Sequence, residues 1–353
     1  MIFKKLKIKN IILKNRIIVS PMCQYSAQNG CPSDWHFSHL GKLVNTGAGM
    51  VMIESTAVNN SGKITHADLC LSNDNQEKKF KKLKTYLNNI NKTPIGIQIS
   101  HAGRKGSSFI PWVKLNTPLT KKNKSWQTFA PSSIKRTKGW PIPKALKKNE
   151  IFNIIKDFKN TAVRAKRIGF ECLEIHMAHG YLLHQFLSPI SNLRKDEFGN
   201  DLINRMSFSL KISKEVRKIW PKNKILGARI TATDHMPGGI SLKDSIFLVK
   251  KLKEIGFDYV CVSSGGILPK TNLKFKKGFR KNFSKRIKKE TSMITRVSGL
   301  INDLNLANKI IKENSADLIA MGRTFLSDPM WIYKAAKKSK NKKIIPPQYI
   351  RGF

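Results

Sequence analysis

The sequence predicts an α/β fold: a (β/α)8 TIM barrel with an N-terminal hairpin and a long loop insertion after strand 3. Three observations carry this. Eight short apolar runs occur across 353 residues, largely alternating with segments of helical periodicity. The length suits one barrel domain, residues 1–353, enlarged by an insertion. The runs end in polar, glycine and proton-handling residues, as strands do when their C-terminal ends share one mouth. An open doubly wound sheet would need a Gly-rich first turn, and no GxGxxG is present.

The elements follow in order. After the hairpin, Arg16 to Cys23 is the first strand and Gly49 to Thr56 the second. Asn75 to Asn88 is a helix and Pro94 to Ser100 the third strand. Residues 105–148 then form the insertion, with Trp112, Trp126 and Trp140 and several prolines but no periodicity. So long a loop is usually functional, and its departure from a strand's C-terminal end suggests a lid over the mouth. Glu150 to Ile168 places Ile151, Ile154, Ile155, Phe158, Ala162 and Ala165 at helical spacing. Cys172 to Met177 is the fourth strand, Asn204 to Ile219 a helix, and Ile225 to Ile230 the fifth strand. Ser241 and Asp244 open a helix that Gly256 closes. Tyr259 to Val262 is the sixth strand and Met293 to Val297 the seventh, followed by a helix to about Lys312. Leu318 to Met321 is the eighth strand, and a last helix runs through Lys337.

The net charge of +44 comes from 66 Lys plus Arg against 22 Asp plus Glu. Such a balance can mark a nucleic-acid binder. Here the basic residues are mostly lysines scattered along the chain, which reads as solvated faces, so nucleic acid is not an expected partner. Five cysteines without a CxxC argue against disulfides and cysteine-rich metal sites. No apolar run approaches the ~18 residues of a membrane helix, and the N-terminus lacks a secretory core. A soluble cytoplasmic protein without a membrane partner is expected.

In a barrel the strand ends converge. They bring Ser20, Pro21, Met22 and Cys23, with Tyr25 beyond, from strand one, and Glu54 and Ser55 from strand two. Strand three brings Gln98, His101 and Arg104, and strand four His176, His179 and Tyr181. Arg229, Gly299, Gly322 and Arg323 come from strands five, seven and eight. The HxxH pair admits a zinc or a structural reading. It follows a strand, however, and no third ligand stands nearby, so no metal is expected. Loops after strands seven and eight often hold phosphate, and Gly299, Gly322 and Arg323 suit that use. A flavin ring fits the remainder. Gln98 matches a pyrimidine edge and Arg229 the negative charge of a reduced ring. Gln98 could otherwise be a satisfied core amide, and Arg229 the partner of a buried carboxylate.

The segments SPMCQYS (20–26), IQISHAGRK (97–105), LEIHMAHGYLLHQFLSPISNLR (173–194), GARIT (227–231), MGRTFLSDP (321–329) and QYIRGF (348–353) span nearly the whole chain. With them the chain resembles the Old Yellow Enzyme family of FMN-dependent ene-reductases, in its branch of NADPH dehydrogenases and xenobiotic reductases. The resemblance implies bound FMN and NADPH or NADH as reductant. The substrate would be a small enone or enal, reduced at its C=C bond in a ping-pong cycle. It implies FMN contacts from Ser20, Pro21, Met22, Cys23, Ser55, Gln98, Arg229, Gly299, Gly322 and Arg323. Cys23 would tune the flavin, His176 and His179 would hold the substrate carbonyl, Tyr25 would assist there, and Tyr181 would donate the proton. Arg351 would enter a neighbouring subunit's site, in a homodimer or homotetramer. Ser55, where a smaller residue is commoner, and the length of 105–148 depart from the pattern. The alternative is an RNA-modifying flavoenzyme like the tRNA dihydrouridine synthases, which would use a cysteine as acid and would explain the charge.

Overall fold

Eight parallel strands, each hydrogen-bonded to the next and the last to the first, close a barrel in the computed structural model. It describes all residues except Lys270, Thr271 and Lys274, and the side chain of Lys342. The strands are β1 (Ile17–Val19), β2 (Met50–Ala57), β3 (Ile95–Ser100), β4 (Cys172–Met177), β5 (Ile225–Thr231), β6 (Tyr259–Ser263), β7 (Ile294–Val297) and β8 (Leu318–Met321). The antiparallel pair Leu6–Ile8 and Ile11–Leu13 precedes β1. All eight strands are where the apolar runs placed them, and β4 and β8 match to the residue. β1 is shorter than the run Arg16 to Cys23, because ladder pairing stops at Val19 and the chain turns into the mouth.

The helices are α1 (Asp34–Val44), α2 (Asp74–Ile90), α3 (Lys148–Ile168), α4 (Leu182–Leu187), α5 (Leu202–Ile219), α6 (Leu242–Ile255), α7 (Lys281–Thr291), α8 (Leu304–Lys312), α9 (Arg323–Ser327) and α10 (Trp331–Lys338). Local chemistry explains their ends. The Asp201 carboxylate accepts the Asn204 N–H at the start of α5. At the start of α6 the Ser241 hydroxyl and the Asp244 carboxylate cap each other's backbone. Gly169 and Gly256 end α3 and α6 with φ of 95° and 96°, where a side chain is strained. Sequence periodicity missed α1, α4 and α7. α1 mixes two histidines and a glycine into its buried face, α4 has buried side chains throughout, and α7 is mostly polar and charged, with Phe283 and Ile287 its apolar residues.

Alternation along the strands divides the side chains into two sets. In β4, Leu173, Ile175 and Met177 point outward into the apolar layer beneath the helices. Cys172, Glu174 and His176 point inward, and the register sets Cys172 beside Gly96 and Ile225, Glu174 beside Gln98 and Gly227, and His176 beside Arg229. The barrel interior is therefore layered. Cys172, Ile18, Met52, Ile225 and Leu318 form an apolar floor. Above it lies a buried polar layer, where the Glu174 carboxylate accepts hydrogen bonds from Gln98 Nε2 (2.7 Å), the Tyr259 hydroxyl (2.8 Å) and the Arg296 guanidinium. Gly227 makes room for this layer, since a Cβ there would lie 2.1 Å from the Tyr259 ring. The next inward residues form the mouth.

Candidate active site

β4 leads directly into the chemistry. Beyond Met177 the chain turns through His179 (φ 59°) and Gly180 (φ 72°). A Cβ on Gly180 would stand 2.2 Å from the Gly266 carbonyl oxygen, so the turn needs glycine. The Gly180 N–H donates to His184 Nδ1 at 2.7 Å, and His184 Nε2 lies 2.9 Å from Asp234 Oδ1, both side chains fully buried. Asp234 also accepts from Ser188 Oγ and the Ile240 N–H. This pair ties the turn to the start of α4 and to the loop after β5.

The turn sets His176, His179 and Tyr181 side by side. His176 Nδ1 accepts the Ala178 N–H (3.1 Å), which assigns the proton of the neutral ring to Nε2. That N–H faces His179 Nδ1 at 3.2 Å, and His179 Nε2 then donates to Ser263 Oγ at 2.6 Å. Burial, and next the charge of Arg229, hold both imidazoles well below the usual histidine range, so both stay neutral donors. The Tyr181 ring lies 4.9 Å from His176, centroid to centroid. Burial, followed by the nearby Cys23 and Asp68, pushes its phenol well above the ordinary range and keeps it protonated.

Cys23 and Tyr25 join from the loop after β1. Burial, then Asp68 and Glu54, raises the Cys23 thiol well above its usual value, and the Tyr25 phenol lies beside it. This pairing does not arise from extended chain, in which i and i+2 share a side. Tyr25 is left-handed at φ 47°, and the chain folds back there. The Gln24 N–H donates to Glu54 Oε1 (3.0 Å), which pins the loop to β2. Asp68 is pushed up to about 7 by burial, although Thr65 and the backbone at Ile64 hydrogen-bond to it.

A cavity of about 760 Å³ opens at the ends of β1, β7 and β8, within the size range of cofactor sites. Ser20, Pro21, Met22, Arg229, Gly299, Gly322 and Arg323 line it. Arg229 is its link to the histidine pair, standing beside His176 across β4 and β5. The Arg229 side chain has no hydrogen-bond or carboxylate partner among the described residues, and its Nε is buried unpaired. The carboxylate reading of Arg229 therefore fails. Gln98 behaves differently, because its Nε2 is taken by Glu174, as the core-amide reading required for that atom. Gln98 and Ser55 are buried and are not part of the cavity wall, and the Ser55 hydroxyl bonds to that of Ser100. Gly299 adopts φ 136°, a conformation open to glycine. These features fit a phosphate-bearing group with an electron-accepting ring. Three arginines (229, 280 and 323) line the cavity with one carboxylate, Asp328, which already pairs with Lys334 at 2.9 Å.

Some placements differ from the sequence reading. His101 is fully buried, and its Nδ1 accepts the Gly103 N–H. Arg104 is spent on two carbonyls, those of Ile134 and Ile267. Arg351 is exposed in the 3₁₀ turn Pro347–Gly352 and is not part of the cavity wall. Arg280 was missed. It caps α7, its Nε donates to Ser264 Oγ (3.0 Å) and its NH1 to Ser298 Oγ (3.3 Å), and it lines the cavity. It follows no strand end, so only its place after Gly278 and Phe279 marked it out. Lys105 and the His184–Asp234 pair were likewise passed over.

Comparison with known proteins agrees with this geometry. Residues 1–342 match the profile of the NADH:flavin oxidoreductase / NADH oxidase family. An NADPH dehydrogenase of Clostridium acetobutylicum is 36% identical over 356 residues, covering 100% of this chain and 99% of that one. Morphinone reductase, solved in complex with tetrahydroNAD, superposes with a TM-score of 0.80 at 22% identity, over 96% of this chain and 91% of that one. A 2-naphthoyl-CoA reductase superposes with a TM-score of 0.85 at 22% identity. It covers 98% of this chain, which spans about half of that protein (53%).

Proposed function

The chain belongs to the NADH:flavin oxidoreductase / NADH oxidase family and is an FMN-dependent oxidoreductase, and we propose that it reduces the C=C bond of enones and enals with NADPH or NADH. The two substrates would use one site in turn, a ping-pong cycle. The NADPH dehydrogenase relatives and the nicotinamide analogue bound to morphinone reductase support this choice of reductant. When bound, FMN supplies hydride acceptance from nicotinamide and hydride donation to the alkene.

The protein's own groups do the remaining work. Arg323, Arg280, Gly299 and Gly322 would hold the phosphate, with Ser20, Pro21 and Met22 as the facing wall. Arg229 and Gln98 would meet the ring's polar edge, and Ser55 and Cys23 would sit beside it, the Cys23 thiol tuning its electronics. A substrate carbonyl oxygen would take the His176 N–H from His179 Nδ1 and the His179 N–H from Ser263 Oγ. Negative charge grows on that oxygen as the β-carbon gains hydride, and two donors already aimed there stabilise it. Tyr181, kept protonated by its surroundings, would deliver the proton to the α-carbon. Tyr25 would assist at the carbonyl, and Arg351 would reach a neighbouring subunit's site in a homodimer or homotetramer.

One observation carries the reading. Two neutral imidazoles, each with an N–H to donate, and a protonated phenol stand together beside Arg229, at the edge of a cavity suited to phosphate. The test is spectroscopic. The purified protein is expected to be yellow, to bleach anaerobically with NADPH, and to regain its colour with cyclohexenone. A reduced protein whose colour only oxygen restores would refute the enone assignment.

A further inference from the structure

Next to the His176–His179–Tyr181 cluster lies a group of cations that the proposed reaction does not use. Lys105, just past β3, donates its Nζ to the His179 carbonyl at 2.7 Å and stands 4.9 Å from the Tyr181 ring centroid. Its neighbour Arg104 donates to the Ile134 carbonyl at 3.1 Å, which clamps the 105–148 insertion over the end of β3. Two residues past Ile134 comes Arg136. It is 7% exposed, stacked 4.6 Å from the Trp140 ring centroid, and bonded only at the limit of range (3.4 Å) to Asn116 Oδ1. Its Nε is buried without a partner. Among the described residues, none of Arg104, Lys105 and Arg136 has a carboxylate within ion-pair distance. The insertion itself carries ten lysines and one arginine and neither Asp nor Glu.

Buried charge without counter-charge is unfavourable, and the strain is visible. Lys105 is pushed down to about 7 by burial, then by Arg136 and Arg104. Arg136 lies close enough to Tyr181 for the two to perturb each other. An oxyanion received between Lys105 and Arg136 would supply the missing negative charge. Arg136's planar fork and lysine's point charge are the usual donors for such a group.

We propose that Lys105 and Arg136 form an anion subsite beside the imidazole pair, and that the ligand served there carries a carboxylate or phosphate besides its reacting carbon. This rests on the ene-reductase reading and narrows it. The anion belongs either to the alkene substrate, as in an enone that is also a carboxylic acid, or to the phosphate of NADPH. Facing Lys105 are Arg104 on its own segment, Arg136 from the insertion, and His176, His179 and Tyr181 from the turn after β4. Asp68, Cys23 and Tyr25 face Tyr181. Binding an anion favours the charged amine, so it draws a proton onto Lys105 near neutral pH.

The test uses oxidised holoenzyme without reductant, titrated calorimetrically with 4-oxopent-2-enoate and with its methyl ester. The wild type is expected to prefer the acid at least tenfold and to take up a proton with it at pH 7.5. Arg136→Met is expected to cut the preference about tenfold, Arg136→Lys to restore part of it, and Lys105→Met to abolish the proton uptake. The second arm is the KM ratio of NADPH to NADH in the same variants. A rise of tenfold in this ratio alone assigns the subsite to the reductant's phosphate. If neither the acid-to-ester ratio nor the NADPH-to-NADH ratio moves in Arg136→Met and Lys105→Met, the subsite is overturned. If wild type binds neither acid nor ester, the enone assignment falls instead, and the nucleotide arm still decides the subsite.

Discussion

Replacing Glu174 by Gln tests how the barrel interior supports the site. Glu174 is fully buried, and three donors converge on it: Gln98 Nε2 at 2.7 Å, the Tyr259 hydroxyl at 2.8 Å and the Arg296 guanidinium. The amide keeps the shape but removes the charge opposite Arg296, which is 1% exposed. Breaking one side of a buried ion pair costs roughly 3–5 kcal/mol. At about 2 cal/mol/K per residue of unfolding entropy, that corresponds to a melting point lower by about 4–7 °C. There is also a local consequence. Residue 174 as glutamine satisfies Arg296 and Tyr259 best with its oxygen and turns its NH2 toward Gln98. Gln98 must then flip, placing a donor where its Oε1 had been free to accept from the cofactor. Weaker FMN retention should accompany the lower melting point. Scanning calorimetry and the fluorescence of released FMN measure the two effects. Glu174→Met combined with Arg296→Met should recover part of the stability, because no charge is then left buried. A single Glu174→Gln variant melting within about 1 °C of wild type, with unchanged FMN affinity, would refute this account of the polar layer.

Other outcomes follow from the same structure. Arg280→Gln removes a charge from the cavity wall and should weaken FMN binding about tenfold or more, the worth of one charge-assisted hydrogen bond; equilibrium dialysis against free FMN checks it, and an unchanged dissociation constant would reject a role for Arg280. Gly180→Ala combines φ 72° with a Cβ 2.2 Å from a carbonyl oxygen. It should cost at least about 1–3 kcal/mol and slow enone turnover by displacing Tyr181, read from urea denaturation and from the oxidative half-reaction. Stability should also fall in acid. Burial lowers His101 to about 3 and His39 to about 4. Between pH 6.5 and 4 the unfolded chain therefore takes up protons that the folded one refuses. Asp68, raised to about 7, acts with the opposite sign over much of this range. His176 and His179, held well below the usual range, and His235, also lowered by burial, act with His101 and His39, so the histidines outnumber the carboxyl and the net loss is at least about 1.4 kcal/mol per pH unit. Urea midpoints at pH 6.5 and 5.0 decide the matter, and a flat or rising trend would contradict it.

The barrel was legible because its signals are local. Alternation in Cys172 to Met177, the Ser241–Asp244 cap and Gly256 after α6 act within a few residues of the chain, so the sequence alone determined where the strands and most of the helices lie. The strand-end residues could be named for a related reason, since a parallel barrel sends every strand's C-terminal end to one mouth. What side chains do once there was decided only by tertiary structure, because it depends on partners far away in the chain. Glu174 occupies the amide of Gln98, Ile134 and Ile267 engage Arg104, and no carboxylate among the described residues pairs with Arg229. Arg280 reaches the cavity from a helix cap that no strand announces. The Lys105 and Arg136 pair shows the limit most clearly: 31 positions separate them, and only the folding of the insertion over β3 brings their charges to one phenol.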